Sequence, residues 1–312
     1  MVPLKKSPRQ SILALLWCAV AMPAVQGRSA DAPPDSVAGV AHPALWPRSH
    51  SVGLLDAATE SLLSDLMSRM SPEEKVGQII QADAGHITPE ELRRYPLGAV
   101  LAGGDSAPAG GADRSPAAWL ALTRALRAVA KIPILFGSDA VHGNGAVRGA
   151  TIFPHNIGLG AAHDPALVGR IGVATAQEMA VVGFNWAFAP SLSVPQDLRW
   201  GRSYESYSQD PALVRRYASE MVRGLQGPAQ DSQRVQSGHV AATAKHFLGD
   251  GGTGDGVNEG DTAASESELI RVHAQGYLSA IDAGVMTVMV SFSSWQGRKL
   301  HANDSLLRDV LK

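Results

Sequence analysis

Short apolar runs that alternate with helix-forming segments constrain the fold of this chain more than any other feature. The runs are nearly continuously apolar, as is typical of parallel strands that are buried on both faces. They lie at residues 78–81, 99–101, 132–136, 184–189, 242–247 and 287–292. Strands that alternate with helices over this length predict an α/β fold, either a (β/α)8 barrel or a doubly wound sheet.

Capping residues mark where several of the intervening helices begin. Ser71 and Glu74 have the spacing of a capping box, in which each side chain accepts a backbone N–H of the other residue. Asp164, Asp210 and Ser265 stand at the start of three further amphipathic segments. These signals support helices between the predicted strands.

The N-terminal region predicts export. Basic residues precede a short apolar run at residues 12–22, which is too short to span a bilayer comfortably, and a plausible cleavage site follows. We expect a signal peptide at residues 1–27, a poorly ordered lead-in at 28–55 and one domain at 56–312. An N-terminal membrane anchor is the alternative. The expected location is the bacterial periplasm or the medium, with no membrane contact after the signal is removed.

Composition narrows the classes of function. Apolar residues make up 45% of the chain and charged residues 18%, which excludes an intrinsically disordered protein. The net charge of −2 disfavours a nucleic-acid partner. Cys18 is the only cysteine and lies in the predicted signal peptide. The mature chain would therefore have no disulfide, no cysteine nucleophile and no cysteine metal site.

Ionisable and aromatic side chains follow almost every predicted strand. In barrels and open α/β sheets the active site lies at the carboxyl ends of the strands, so side chains from different strands converge there. We expect one pocket that collects Asp139, Arg202, Glu205, Lys245, His246, Phe292 and Trp295. Carboxylates and cations suit the vicinal hydroxyls of a sugar, and aromatic rings suit its C–H faces.

Other ligand classes are less well supported. Residues 251–256 are glycine-rich but lack the dinucleotide-binding spacing, so we expect a tight turn there. His142, His155 and Asp139 show no regular metal-ligand spacing, and we expect neither a metal nor another cofactor. We expect structural roles for His155 and His273.

Four longer motifs lie in order along the chain, at residues 136–143 (FGSDAVHG), 184–190 (FNWAFAP), 199–206 (RWGRSYES) and 245–253 (KHFLGDGGT). Together they resemble the N-terminal barrel of glycoside hydrolase family 3, in its β-glucosidase and exo-glucanase branch. The resemblance runs from about residue 62 to residue 312. It implies an α/β fold of the (β/α)8 TIM-like barrel type, incomplete because about six of eight βα units are present.

The resemblance also implies roles for the residues at the strand ends. The side chains that would bind the sugar in the −1 subsite are Asp139, Arg202, Lys245 and His246. Glu205 would buttress that subsite. Phe292 stands where many members carry Tyr, so the stacking face is kept and a hydroxyl is lost.

Two positions in the fourth motif separate branches of the family. In the β-N-acetylhexosaminidase branch this motif resembles Lys-His-Phe-Pro-Gly-His-Gly, and its second His takes part in proton transfer. This chain has Leu248 and Asp250 at the places of that Pro and that second His. The comparison favours a β-glucosidase, with the hexosaminidase as the alternative.

The carboxyl groups that would do the chemistry are less clear. A retaining glycosidase needs two of them about 5–5.5 Å apart. Position at a strand end suggests Asp139 as the nucleophile, whereas the resemblance implies an Asp beyond Lys312 and an acid/base in a C-terminal domain of the same protein. We therefore expect an exported enzyme that removes terminal non-reducing β-D-glucosyl residues from oligosaccharides or glucans with retention, and a 312-residue chain that is itself inactive. The rival interpretations are a non-catalytic sugar-binding fragment and a nucleotide-dependent enzyme.

Overall fold

A six-stranded parallel sheet organises the chain. The computed structural model describes residues 37–51, 56–228 and 235–312, so the predicted signal peptide and parts of the lead-in lie outside the described residues. Order in the sheet follows order in the sequence, with every neighbouring pair parallel. The strands are β1 (Gln81–Asp83), β2 (Ala99–Ala102), β3 (Leu135–Ser138), β4 (Trp186–Ala187), β5 (Ala241–Phe247) and, after a short separate strand, β7 (Thr287–Val290). This sequential order is that of a barrel rather than a doubly wound sheet, and it confirms the incomplete TIM-like barrel.

Two helices precede the first strand, and the others lie between successive strands of the main sheet. They are α1 (Ala57–Arg69), α2 (Pro72–Gln78), α3 (Pro89–Arg94), α4 (Pro116–Arg127), α5 (Asn156–Ala161), α6 (Pro165–Ala180), α7 (Pro211–Gln226), α8 (Glu266–Glu268) and α9 (Gln275–Asp282). The predicted caps form: Asp164, Asp210 and Ser265 each accept a backbone N–H of the first turn. Ser71 and Glu74 make the complete capping box.

The first strand is displaced from its predicted position. Residues 78–81 read as a strand, but α2 continues to Gln78 and β1 begins only at Gln81. The capping box at Ser71 stabilises a helix that takes in Gln78, the first residue of the predicted strand. Ile79 then follows the helix end, largely exposed.

A second, smaller sheet stands beside the main one. It consists of β6 (Asp261–Thr262), β8 (Ser294–Trp295) and β9 (Arg298–Lys299), with β6 parallel to β8 and β8 antiparallel to β9. Runs of two residues carry no usable alternation in the sequence. This sheet therefore could not be predicted.

Polar and aromatic side-chain contacts connect strands of the main sheet to one another and to a neighbouring helix. The Trp186 indole N–H donates to the hydroxyls of Thr243 at 2.8 Å and Thr287 at 3.0 Å, which ties β4 to β5 and β7. The Phe184 ring stacks on Phe136 of β3 and meets Trp119 of α4 edge-on, with centroids 5.3 and 5.1 Å apart. The strand ends are thus carried on a closely packed scaffold.

Residues 37–51, which we call the N-terminal strap, pack against a distant part of the chain. Glu266 accepts the backbone N–H of His42 at 2.6 Å and the indole N–H of Trp46 at 2.7 Å, and its other oxygen lies 2.7 Å from His42 Nδ1. Ser305 Oγ accepts the N–H of Ala41 at 2.9 Å. These contacts differ from the poorly ordered lead-in that the sequence predicted for this region.

Candidate active site at the strand ends

The structure brings an ammonium and a carboxylate together across β3 and β5. Lys245 lies within β5, and its Nζ is 2.6 Å from Oδ1 of Asp139, the residue that follows β3. The Lys245 side chain is only 4% exposed, whereas that of Asp139 is 53% exposed. The pair therefore presents its carboxylate to solvent while its ammonium is buried.

A second ion pair lies in the segment after β4. Arg202 Nε and Nη2 donate to the two carboxylate oxygens of Glu205 at 2.8 and 2.7 Å, a bidentate geometry that fixes both side chains. The 3-10 turn Ser203–Glu205 sets their spacing, and the Asn156 side-chain amide holds that turn by donating to the Glu205 carbonyl at 2.8 Å. Both side chains are largely buried.

The charges at this end of the sheet interact with one another. Burial alone would raise the pKa of Glu205, but the hydrogen bonds from Arg202 and the charges of Arg202, Lys245 and His246 outweigh it and hold the pKa below its ordinary value. Glu205 is thus ionised at neutral pH. It is suited to accept hydrogen bonds and unsuited to serve as a general acid.

His246 faces a buried carboxylate that the sequence did not assign to the site. Its Nδ1 lies 2.8 Å from Oδ2 of Asp250, whose side chain is 7% exposed. The other oxygen of Asp250 accepts the hydroxyl of Ser291, and Ser293 lies 3.4 Å away. From the sequence, Asp250 is only a position that separates branches of the family; its i,i+4 spacing from His246 is the signal that could have placed it in the site.

The two predicted aromatic residues are placed differently. Phe292 follows β7 and is 63% exposed, with its ring stacked on that of His301 at 5.2 Å. Trp295 lies in β8, is 1% exposed and donates its indole N–H to the Ala264 carbonyl at 2.8 Å. Phe292 can offer a ring edge or face to a ligand, whereas Trp295 is enclosed in the core and offers none.

Histidine and tyrosine rings form a row beside the Arg202 turn. The His142 and His155 rings lie 4.2 Å apart, and Tyr204 meets His155 edge-on at 4.7 Å. His142 Nδ1 is 2.9 Å from the Phe153 carbonyl oxygen. The structural role that the sequence predicts for His155 stays a prediction, because its ring is exposed and these contacts leave it accessible.

The glycine-rich segment forms tight turns. A Cβ on Gly251 would lie 2.6 Å from the Val194 backbone, so this close approach requires glycine. Within residues 37–51, 56–228 and 235–312, no three His, Cys, Asp or Glu side chains are grouped to hold a metal ion. No helix in those ranges is both long and apolar enough to cross a bilayer.

A parallel α/β sheet of barrel order, with paired charges at its carboxyl ends, defines the class of α/β-barrel proteins whose sites lie in the loops after the strands. Residues 71–312 match the family model described as the glycosyl hydrolase family 3 N-terminal domain. The chain therefore belongs to glycosyl hydrolase family 3.

Individual relatives agree with this assignment. The solved exo-1,3/1,4-β-glucanase of a Pseudoalteromonas species is 47% identical with a TM-score of 0.81, and the match covers 86% of this chain and 34% of that one. The periplasmic β-glucosidase of Salmonella typhimurium is 29% identical over 83% of this chain and 32% of its own length. A mutant β-glucosidase of Listeria innocua, solved with laminaribiose, is 27% identical with a TM-score of 0.68, over 82% of this chain and 36% of its own. The chain spans about a third of the length of the curated relatives it matches.

Proposed function

We propose that this chain forms the sugar-binding barrel of a glycoside hydrolase that removes terminal non-reducing β-D-glucosyl residues with retention. The observation that carries the proposal is the pair of ion pairs, Asp139–Lys245 and Arg202–Glu205, at the carboxyl ends of neighbouring strands. The names of the two relatives described above, a β-glucosidase and an exo-1,3/1,4-β-glucanase, support glucose as the sugar, and β-xylosidases are also among the similar proteins.

The geometry suggests how a glucosyl ring would be held. Asp139 uses Oδ1 for Lys245, and its exposed carboxylate can also accept sugar hydroxyls. Arg202 uses Nε and Nη2 for Glu205, so the fork is oriented before a ligand arrives. Because the ionic partners are pre-positioned, little side-chain entropy would be lost on binding. His246 completes the polar wall, and the exposed ring of Phe292, after β7, is the apolar surface that we propose for the C–H face of the sugar.

Each carboxylate of this polar wall already contacts a neighbouring side chain. Asp139 is paired with Lys245, Glu205 with Arg202, and Asp250 lies against His246 and two serines. We therefore propose that the nucleophile and the acid/base come from other parts of the protein, including a C-terminal domain. The 312-residue chain should bind sugar weakly and should not hydrolyse a glucoside.

We further propose a signal peptide at residues 1–27, a barrel domain at 56–312 and a periplasmic or secreted location. The Salmonella typhimurium relative carries the word periplasmic in its name, which supports export. A glucose-terminated oligosaccharide is the proposed partner.

Glucose binding by the purified chain tests the proposal. Saturation-transfer NMR should detect glucose, and Asp139→Asn should weaken binding by about tenfold, the effect of losing one charged contact worth about 1.4 kcal/mol. Glu220→Gln removes a charge from a surface pair with Arg223 and is the matched control that should bind as the wild type does. Absence of binding to any monosaccharide by a folded chain would refute the proposal.

Competing sugars separate the alternatives. Tighter binding of N-acetylglucosamine than of glucose would favour the hexosaminidase. Turnover of 4-nitrophenyl β-glucoside above a mock preparation would contradict the expected inactivity and would place the nucleophile within the chain.

A further inference from the structure

Phe292 is a largely exposed aromatic ring on a well-anchored stretch of backbone. The serines on either side of it are buried: Ser291 donates its hydroxyl to Asp250, and the Ser293 N–H donates to the Ser291 hydroxyl oxygen at 2.9 Å. A single exposed apolar side chain is common at a protein surface and needs no special cause. Phe292 differs because side chains from another segment of the chain contact its ring and its backbone.

The contacting side chains come from β9 and the turn that follows it, alongside the segment after β7. The N–H of Leu300 donates to the carbonyl of Ser293 at 3.1 Å, which fixes how the two segments are aligned. Leu300 is buried, whereas its neighbours Lys299 and His301 are both exposed. The two exposed side chains therefore flank a buried anchor beside Phe292.

The hairpin formed by β8 and β9 is itself held from two directions. In its turn, the Gly297 N–H donates to the Asp261 carboxylate at 2.8 Å. Gln296 Oε1 accepts the Gly39 N–H of the N-terminal strap at 2.9 Å. Because β8 also pairs with β6, side chains that extend from this hairpin have a fixed base.

Lys299 and His301 contact Phe292 in three ways. The Lys299 ammonium donates to the Phe292 carbonyl at 2.9 Å and lies 5.3 Å from the centroid of its ring, within the range of a cation–π interaction. The His301 ring stacks on the Phe292 ring with centroids 5.2 Å apart and planes inclined at 22°, within the range of offset-stacked pairs. Two side chains thus restrain both the backbone and the ring of Phe292, and the ring still presents apolar surface to water.

We propose that Lys299 and His301 are positioning residues that hold the Phe292 ring as a preformed platform for the C–H face of the sugar. A free phenylalanine side chain at the surface would lose rotamer freedom when a sugar packs on it, and that loss would weaken binding. A ring that is already restrained loses less. The use of the platform by a sugar rests on the proposed function, whereas the restraint of the ring does not.

NMR of the ligand-free chain tests the restraint. In chain labelled with ¹³C-phenylalanine, Phe292→Leu identifies the ring signals of Phe292, and nuclear Overhauser effects report which protons lie near that ring. We expect such effects between the Phe292 and His301 rings, and an order parameter of the Phe292 ring axis above about 0.6. A wild-type ring without contact to His301, or with an order parameter below that value, would overturn the proposal.

Variants then separate positioning from the stability of the hairpin. His301→Ala removes the stacked ring and should lower the order parameter of Phe292, whereas His301→Phe keeps a flat ring and should restore it. Lys299→Met should also free the ring, because it removes the bond to the Phe292 carbonyl. Arg298→Met is the matched control: it removes an equal charge from β9, but its side chain lies beside Gly39, so Phe292 should be unchanged. An equal change in Arg298→Met and Lys299→Met, or no change in His301→Ala, would reject the positioning role.

Glucose binding supplies the second test. His301→Ala should weaken it by about three- to tenfold, the effect expected from one aromatic pair, and His301→Phe should bind within about twofold of the wild type. If the ring is restrained as expected in a chain that binds no sugar, the proposed function fails while the restraint of Phe292 stands. Unchanged glucose affinity in His301→Ala, with the ring freed, would reject the platform.

Discussion

The Asp139–Lys245 pair should respond unequally to the removal of its two members. The ammonium is buried and the carboxylate is half in water. In Asp139→Ala the ammonium loses its 2.6 Å partner but stays out of solvent. In Lys245→Met an unbranched apolar chain replaces the buried ammonium, and Asp139 keeps its hydration.

The size of the difference follows from burial. Removing one partner of a fully buried pair costs about 3–5 kcal/mol. Because Asp139 is about half exposed, we reduce the expected loss for Asp139→Ala to about 2–3 kcal/mol. For a domain of this size that lowers the Tm by about 4–12 °C. Lys245→Met should change the free energy of unfolding by less than about 1 kcal/mol, since a buried charge and its attraction are removed together.

Urea and thermal unfolding of both single variants and the double variant, followed by circular dichroism, check this expectation. The double variant should be more stable than Asp139→Ala, because it has no buried ammonium that lacks its carboxylate partner. Both single variants should nevertheless lose glucose binding, so stability and binding separate. Equal destabilisation by Lys245→Met and Asp139→Ala, or a loss below about 1 kcal/mol for Asp139→Ala, would refute the reasoning.

Three further outcomes are expected. Arg202→Lys keeps the charge but loses the bidentate bond to Glu205, and should weaken glucose binding at least about tenfold in calorimetry. Unchanged affinity would argue against a role for the oriented guanidinium in binding. Burial, opposed in part by the charge of Asp250, lowers the pKa of His273 from 6.5 to about 4. Between these two pH values the unfolded chain protonates His273 and the folded chain does not. The free energy of unfolding should therefore fall by up to about 3 kcal/mol as pH drops from 6.5 to about 4. In His273→Gln the free energy of unfolding should depend less on pH over that interval. An equal pH dependence in the variant and the wild type would contradict the assignment to His273. Glu266→Ala should speed amide exchange in residues 37–51, read by mass spectrometry, while exchange in α7 stays unchanged.

The strands of the main sheet could be predicted because parallel strands buried on both faces are continuously apolar. Their exact limits could not: the apolar pair Ile79 and Ile80, which suggested the first strand, lies between the end of α2 at Gln78 and the start of β1 at Gln81. The two-residue strands of the small sheet left no pattern. That sheet explains the position of Trp295, which reads as a rim residue after a strand and is enclosed within β8.

The site could be predicted as a set of residues but not as a set of pairs. Strand-end chemistry and family motifs point to Asp139, Lys245 and Arg202, yet which cation meets which carboxylate depends on strand register and side-chain direction. The burial of Asp250 could not be predicted for the same reason: the two serines that contact its carboxylate come from the segment after β7, more than forty residues away. The bond between Glu266 and the strap spans 224 residues and has no local signal.

The strap contacts also set an order of events during synthesis. Residues 41 and 42 bind partners 264 and 224 positions further along the chain, so docking must wait until Glu266 and Ser305 have been made. At about 5–20 residues per second, that interval is about 10–50 s on the ribosome. Contacts this distant close late in folding as well, because their loop entropy is lost before the contact repays it. The strap, which is synthesised before every strand of the sheet, is therefore among the last segments to dock on the folded chain.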